Sequence, residues 1–211
     1  MAVQLLENWL LNEQGKIQTK YRHLNQVSVV EPDILFIGDS IVEYYPLQEL
    51  FGTSKIIVNR GIRGYQTGLL LENLDAHLYG GAVDKIVLLI GTNDIGKDVS
   101  VNEALNNLEA IIQSIARDYP LTEIKLLSIL PVNEGEEYKQ TVYIRTNEKI
   151  QKWNQAYKEL ASAYMQVEFV PVFDSLTDQA GKLKKDYTTD GLHLSVAGYQ
   201  ILTKSLKDYL L

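Results

Sequence analysis

The sequence predicts an α/β protein in which a parallel β-sheet lies between two layers of helices. Short apolar runs of strand length alternate along the chain with longer segments whose apolar residues recur at helical spacing. The short runs are nearly continuous in Ile, Val, Leu and Phe, which is typical of strands covered on both faces. Because alternating strands and helices form parallel βαβ units, we expect a three-layer αβα sandwich.

Five runs qualify as strands, and this number predicts a five-stranded parallel sheet of the flavodoxin-like type. They are Ile34–Ile37, Lys55–Val58, Lys85–Ile90, Ile124–Leu130 and Val167–Phe173. After the third strand, Ser100 and Glu103 form a capping box that predicts the start of a helix, and Pro120 ends the segment. In such sheets ligands bind beyond the carboxyl ends of the strands, near the point at which the strand order reverses.

The chain organisation predicts one domain. No repeat, linker or low-complexity tract divides the 211 residues, and domains of about 100–200 residues are usual. We therefore expect a single domain over residues 1–211, in which an amphipathic helix over residues 1–28 precedes the first strand. That helix is a candidate packing or dimer element, so a homodimer is one assembly that the sequence allows.

Composition and charge exclude several classes of function. The chain is 45% hydrophobic and 22% charged and has no cysteine, which excludes a disulfide scaffold, a thiol nucleophile and a Cys-ligated metal site. Its net charge of −7 argues against a nucleic-acid partner. No apolar stretch approaches the ~20 residues that cross a bilayer, and the N-terminus lacks the basic region of a secretory signal. We expect a cytoplasmic protein with no membrane span, no metal and no cofactor.

Glycines and small polar residues gather at the carboxyl ends of the predicted strands. Gly38-Asp39-Ser40 follows the first strand, Gly91-Thr92-Asn93-Asp94 follows the third, and Asp190-Gly191-Leu192-His193 comes after the fifth. Acyl transfer requires a hydroxyl nucleophile, an imidazole base, an acid that orients the imidazole and donors for the oxyanion. Ser40, His193 and Asp190 are the candidates for the first three parts. Asn93 is a candidate oxyanion donor.

Simpler interpretations exist for the same segments. A serine after a strand also caps helices, and Thr-Asn-Asp also forms turns. The segment Gly91–Asp98 nearly matches the P-loop pattern of nucleotide-binding proteins. However, Asp98 stands where the Mg²⁺-binding hydroxyl is required, so nucleotide binding is the weaker prediction.

Four short segments carry a resemblance to a known family: Gly38-Asp39-Ser40, Gly64, Gly91-Thr92-Asn93-Asp94 and Asp190-x-x-His193. In order and position they resemble the four blocks of the SGNH (GDSL-type) hydrolases. The sequence around Gly64 and the C-terminal segment are most similar to the branch of platelet-activating-factor acetylhydrolase catalytic subunits. The resemblance runs from about Ile34 to the C-terminal helix. It implies that Ser40 is the nucleophile and His193 the base, and that the amides of Ser40, Gly64 and Asn93 form the oxyanion hole.

These observations predict a metal-free serine esterase that cleaves a small-molecule ester through an acyl-enzyme. The connection from Pro131 to Tyr143 is polar and offers no apolar lid, which favours a short, acetyl-like acyl group. Candidate pocket residues are Tyr44, Arg63, Tyr65, Tyr143 and Arg145. Alternatives are a long-chain lipase or lysophospholipase, a thioesterase, and a non-enzymatic module that binds an acyl or anionic ligand.

Overall fold

Five parallel strands form one sheet at the centre of the molecule. The computed structural model describes the backbone of residues 2–211 and the side chains of residues 7–211. The strands are β1 (Ile34–Gly38), β2 (Ile57–Gly61), β3 (Lys85–Leu89), β4 (Glu123–Leu127) and β5 (Val167–Val170). Their order is β2-β1-β3-β4-β5, and every neighbouring pair is parallel. The predicted flavodoxin-like sheet is therefore confirmed, with the strand order reversing at β1.

Helices cover both faces of the sheet, as the sequence predicts. The longer ones are α1 (Ala2–Val27), α7 (Val101–Asp118), α9 (Asn147–Ser162) and α10 (Val196–Leu210). The shorter ones are α2 (Ser40–Glu43), α3 (Leu47–Phe51), α4 (Thr67–Glu72), α5 (Leu74–His77), α6 (Thr92–Gly96) and α8 (Lys139–Val142). Three single 3₁₀ turns lie at Glu136–Tyr138, Asp174–Leu176 and Lys185–Tyr187. The predicted N-terminal helix corresponds to α1, and Met1 lies outside the described residues.

Alternate residues of each strand point to two separate hydrophobic cores. Leu35 and Ile37 of β1 face a core shared with α1, α4, α5, α7 and α9. Ile34 and Phe36 face a core shared with α2, α3 and α10. All four side chains are at most 1% exposed. Burial on both faces explains why the strands read as continuous apolar runs.

The second, fourth and fifth strands differ from their predicted bounds for identifiable reasons. β5 ends at Val170 instead of Phe173 because Pro171 has no N–H and Ser128 Oγ accepts the N–H groups of Val172 and Phe173. β2 continues through Asn59, Arg60 and Gly61 because these residues pair with β1, although their polar side chains break the apolar run. β4 ends at Leu127, and from Ile129 onward the side chain of Asn154, on α9, replaces the sheet as the main-chain partner. Its Oδ1 accepts from Ile129 N at 2.7 Å and its Nδ2 donates to Ile129 O at 2.9 Å.

The predicted start of the long helix after β3 is confirmed. Ser100 is the N-cap of α7, and its Oγ accepts the backbone N–H of Glu103 at 3.1 Å. The fold thus places α2 directly after β1 and α6 directly after β3, at the same edge of the sheet. The segments that the sequence analysis singled out therefore converge at that edge.

Candidate active site

A continuous chain of hydrogen bonds joins Ser40, His193 and Asp190. The Oγ atom of Ser40 lies 3.0 Å from His193 Nε2, and His193 Nδ1 lies 2.7 Å from Asp190 Oδ2. The serine and histidine are 153 positions apart in the sequence, so only the fold brings them together. With the ring proton on Nδ1, His193 accepts the Ser40 hydroxyl proton at Nε2 and donates to the carboxylate. This is the arrangement that a serine nucleophile requires.

The turn from β1 into α2 positions Ser40. Asp39 is the N-cap of α2, and its Oδ1 accepts Ile41 N at 2.9 Å. Ser40 is the first helical residue and is 5% exposed. Burial raises the pKa of Asp39 to about 7. The hydrogen bond to Ile41 N shows that Asp39 stabilises this turn. Asp94 stabilises a neighbouring turn by accepting the N–H and hydroxyl of Thr67.

The tight turn at Gly191 brings Asp190 and His193 together. Gly191 has φ +86°, a conformation that favours glycine. Asp190 Oδ1 accepts the N–H groups of Leu192 at 3.0 Å and His193 at 2.8 Å, which leaves Oδ2 for the imidazole. Burial acts to raise the pKa of Asp190, but the hydrogen bonds from His193 and Leu192 outweigh it and hold that pKa at about 2. The carboxylate is therefore charged at neutral pH.

Three amide donors follow the carboxyl ends of the neighbouring strands β1, β2 and β3. Within the described residues, the backbone N–H groups of Ser40 and Gly64 have no protein acceptor. Asn93 lies on α6, where its Nδ2 donates one hydrogen to Tyr65 O at 2.9 Å and keeps the second. Gly64 has φ +73°, and a side chain there would meet Gln14 and Leu10 of α1. Three N–H groups at this edge of the sheet thus remain available to a ligand.

The sequence analysis missed the role of Glu43, the last residue of α2. Its carboxylate accepts the backbone N–H of Arg63 at 2.6 Å and Arg63 Nε at 3.0 Å, and it also pairs with Nη2 of the same guanidinium. The charge of Arg63 is therefore neutralised by Glu43, so this candidate pocket residue presents no unpaired cation to a ligand. The pairing also ties the loop that carries Gly64 to the helix that carries Ser40. The only signal in the sequence was an acidic residue three positions after Ser40.

The predicted pocket residues divide into exposed and buried groups. Tyr44 is 45% exposed, and its ring centroid lies 5.6 Å from that of His193, so it borders the site. Tyr143 is 69% exposed. Tyr65 and Arg145, by contrast, are buried, at 0% and 9% exposure, and their place in the pocket stays a prediction. The Tyr65 hydroxyl hydrogen-bonds to Gln18 of α1, and the Arg145 guanidinium is bound by main-chain carbonyls.

The segment that nearly matches a P-loop is a short helix followed by a turn. The N–H groups of Ile95 and Lys97 donate to Gly91 O and Asn93 O, so these amides are used within the chain. Lys97 Nζ lies 3.5 Å from Glu7 Oε1. These contacts leave the weaker nucleotide-binding prediction without structural support.

Two features are absent from the described residues. None of their helices is both long enough and apolar enough to cross a membrane. Among the same residues there is no group of three or more His, Asp or Glu side chains that could hold a metal ion.

Comparisons with known proteins show which family this chain resembles. The GDSL-like Lipase/Acylhydrolase family model matches residues 36–201. Platelet-activating factor acetylhydrolase IB subunit alpha2 from Rattus norvegicus is 29% identical over 186 residues, which cover 86% of this chain and 77% of the relative. The solved structure of a protein from Streptococcus pneumonia, described as a platelet activating factor, has a sequence 90% identical to this chain. It has a TM-score of 0.99 and covers 100% of this chain and 99% of its own.

A more distant solved structure shares the fold. It is a catalytic mutant of the acetylxylan esterase Axe2 from Geobacillus stearothermophilus, with 20% identity and a TM-score of 0.66, covering 85% of this chain and 94% of its own. The family model covers most of the chain and includes every candidate catalytic residue. The chain therefore belongs to the GDSL-like lipase/acylhydrolase family and is a hydrolase.

Proposed function

We propose that this hydrolase is a serine esterase that works through an acyl-enzyme with Ser40, His193 and Asp190 as its triad. The observation that carries the proposal is the continuous hydrogen-bond chain from Ser40 Oγ through both ring nitrogens of His193 to Asp190 Oδ2. A binding module has no need of a buried hydroxyl in contact with an oriented imidazole, whereas nucleophilic catalysis depends on it. The geometry thus favours catalysis over the non-enzymatic alternative.

The proposed reaction has two steps that use the same groups. Ser40 Oγ attacks the ester carbonyl carbon while His193 Nε2 takes its proton, and the amides of Ser40, Gly64 and Asn93 bind the oxyanion. The C–O bond to the alcohol then breaks, and His193 gives its proton to the leaving oxygen. Water, deprotonated by His193, attacks the acyl-Ser40 ester. The bond from the acyl carbon to Ser40 Oγ then breaks, His193 returns the proton to Ser40 Oγ, and the carboxylic acid leaves.

We further propose that the acyl group is short and the alcohol polar. Pro131–Tyr143, the connection that precedes α9, carries Asn133, Glu134, Glu136 and Glu137 and forms only a 3₁₀ turn and one short helix. Apart from Tyr143, its exposed residues are polar, so it offers no extended apolar surface for a long chain. The names of the acetylhydrolase relative and of the acetylxylan esterase both refer to acetyl groups. An acetyl ester is therefore the first substrate to test.

The nucleophile can be identified by covalent labelling. A fluorophosphonate should abolish hydrolysis of p-nitrophenyl acetate, and mass spectrometry should find the adduct on Ser40. Ser40→Ala should lower kcat by several orders of magnitude and lose the label, because triad members act as a unit. Ser54→Ala, at an exposed serine outside the site, is the matched control. An adduct on another serine would overturn the assignment.

A chain-length series separates the short-chain esterase from the lipase and thioesterase alternatives. The value of kcat/KM should fall steeply from acetyl and butyryl to octanoyl and longer p-nitrophenyl esters. Each methylene without a pocket forfeits up to ~0.8 kcal/mol of burial. A maximum at ten carbons or beyond would indicate a lipase, and a strong preference for the matching thioester would indicate a thioesterase.

The single domain over residues 1–211, the cytoplasmic location and the homodimer stay predictions.

A further inference from the structure

Arg145 is a buried cation whose hydrogen bonds all go to uncharged groups. It lies between α8 and α9 and is 9% exposed. Its Nε donates to Thr92 O at 2.9 Å, and its Nη1 donates to Thr141 O and Val142 O, each at 3.2 Å. Among the described residues it forms no ion pair. Burying a guanidinium that no carboxylate contacts directly costs free energy, which the charge of Asp39 offsets only in part, so its position requires an explanation beyond packing.

The fourth contact of Arg145 is with the candidate oxyanion donor. Its Nη2 donates to Asn93 Oδ1 at 3.3 Å. On the other side of the same amide, Asn93 Nδ2 donates to Tyr65 O at 2.9 Å. A guanidinium has only donors and a carbonyl only acceptors, so both neighbours impose the same orientation on the Asn93 amide. The second hydrogen of Nδ2 is then left for a ligand.

Gly96 provides the space that the guanidinium occupies. A Cβ atom on Gly96 would overlap Cζ and both terminal nitrogens of Arg145. The guanidinium therefore lies directly against the backbone of α6, the helix that also carries Asn93. This accounts for a glycine that the sequence analysis met as part of a near P-loop pattern.

We propose that Arg145 is a positioning residue of the oxyanion hole, which holds the Asn93 amide with its free N–H directed at the reacting ester. The proposal rests on the esterase function proposed above. An amide released from Arg145 could rotate and present its oxygen to the oxyanion, which would oppose the reaction. Preorganisation of donors is effective only when their own orientation is fixed.

The test compares Arg145→Met, Arg145→Lys and Gly96→Ala with Arg60→Met. Arg60 is also buried, at 6% exposure, but lies between Tyr21 and Tyr79 and does not contact Asn93. Each of the first three variants should lower kcat by about 10- to 100-fold with KM nearly unchanged, after active-site titration with a fluorophosphonate. Gly96→Ala should act by displacing the guanidinium, and Arg145→Lys because one ammonium cannot reproduce the planar fork. Arg60→Met should lower Tm but leave kcat of the titrated enzyme unchanged.

A double-mutant cycle distinguishes positioning from general support of the structure. In the Asn93→Ala background, Arg145→Met should reduce kcat by less than threefold, because Arg145 acts through the amide that has been removed. Equal losses in both backgrounds, or an unchanged kcat in Gly96→Ala and Arg145→Lys, would overturn the proposal.

An NMR measurement that does not depend on catalysis tests the role of Arg145 separately from the esterase function. The side-chain ¹⁵N–¹H₂ signals of Asn93, assigned by their loss in Asn93→Ala, should be well dispersed in the wild type. They should move toward the positions of free asparagine amides in Arg145→Met and Gly96→Ala. Unmoved signals would overturn the positioning role even if the protein is an esterase. Moved signals in a protein that hydrolyses no ester would leave the geometry intact and refute only the proposed function.

Discussion

At the scale of single residues, the two oxygens of Asp190 have separate tasks. Oδ1 accepts two backbone N–H groups, from Leu192 and His193, and Oδ2 faces the His193 ring. The backbone contacts fix the carboxylate, and the fixed carboxylate fixes the ring. The proton of the imidazole is thereby kept on Nδ1, and Nε2 stays free to accept from Ser40.

This division makes the effect of Asp190→Asn predictable. The asparagine oxygen should keep the two backbone N–H groups, so its NH₂ must face His193 Nδ1. The ring then carries its proton on Nε2 and cannot accept one from Ser40. We expect kcat to fall by about 10³–10⁴ with the fold retained, as measured by steady-state kinetics and circular dichroism. Asp186→Asn, at an exposed carboxylate on the same loop, should leave kcat unchanged. A loss below tenfold would show that another group orients the imidazole.

At the scale of elements, α1 contacts the loop that carries Gly64, although it lies outside the residues matched by the family model. Gln14 is 3% exposed, and its Nε2 donates to Arg63 O at 2.8 Å. The carbonyl of Arg63 and the N–H of Gly64 belong to the same planar peptide group. Gln14 therefore sets the direction of the N–H that is proposed to bind the oxyanion.

We expect Gln14→Leu to lower kcat by about tenfold with little change in KM. The substitution leaves the Arg63 carbonyl without its donor, which costs roughly 1–3 kcal/mol of stability and frees the peptide plane to rotate. Gln18→Leu is the matched control, because Gln18 lies one turn away on α1 and its side chain, within the described part of the chain, hydrogen-bonds to the Tyr65 hydroxyl and not to the loop of Gly64. It should lower Tm without lowering kcat. If both variants lose Tm alone, α1 supports the fold and does not position the loop.

At the scale of the whole molecule, two buried groups give the free energy of unfolding opposite dependences on pH. Burial raises the pKa of Asp39 to about 7 and lowers the pKa of His77 to about 4. Between about pH 4 and 7 the folded state holds the Asp39 proton more tightly than the unfolded chain, so this group destabilises the fold as pH rises. Over nearly the same range His77 stays neutral while the unfolded chain binds a proton, so this group stabilises the fold as pH rises. The two effects partly cancel.

The contribution of Asp39 can be isolated with Asp39→Asn. Asparagine can still accept Ile41 N but has no charge to bury, so the variant should gain stability over the wild type as pH rises from about 4 to 7. The gain should reach a few kcal/mol and then level off. Urea unfolding of both proteins at several pH values measures it, and the His77 effect drops out of the difference. A difference that stays constant over this range would show that the pKa of Asp39 is not raised.

The fold and the positions of the candidate catalytic residues could be predicted because both depend on local patterns. The five strands are short apolar runs, and Ser40, Asn93 and His193 follow strands or turns that glycines mark in the sequence. Strand ends in a parallel sheet meet at one edge whatever the details of packing. Strand bounds were less accurate where polar residues, such as Asn59 in β2, pair in the sheet without joining a core.

The sequence by itself determined the fold class, the edge of the sheet at which the site lies and the residue types gathered there. Only the tertiary structure decided which nearby side chains are exposed at the site and which are buried and hold the site residues in place. Tyr65 and Arg145 have the chemistry of pocket residues, yet both are buried. The physical reason is that burial depends on partners far apart in the chain. Arg145 reaches Thr92 across 53 positions, and no local periodicity encodes such a contact.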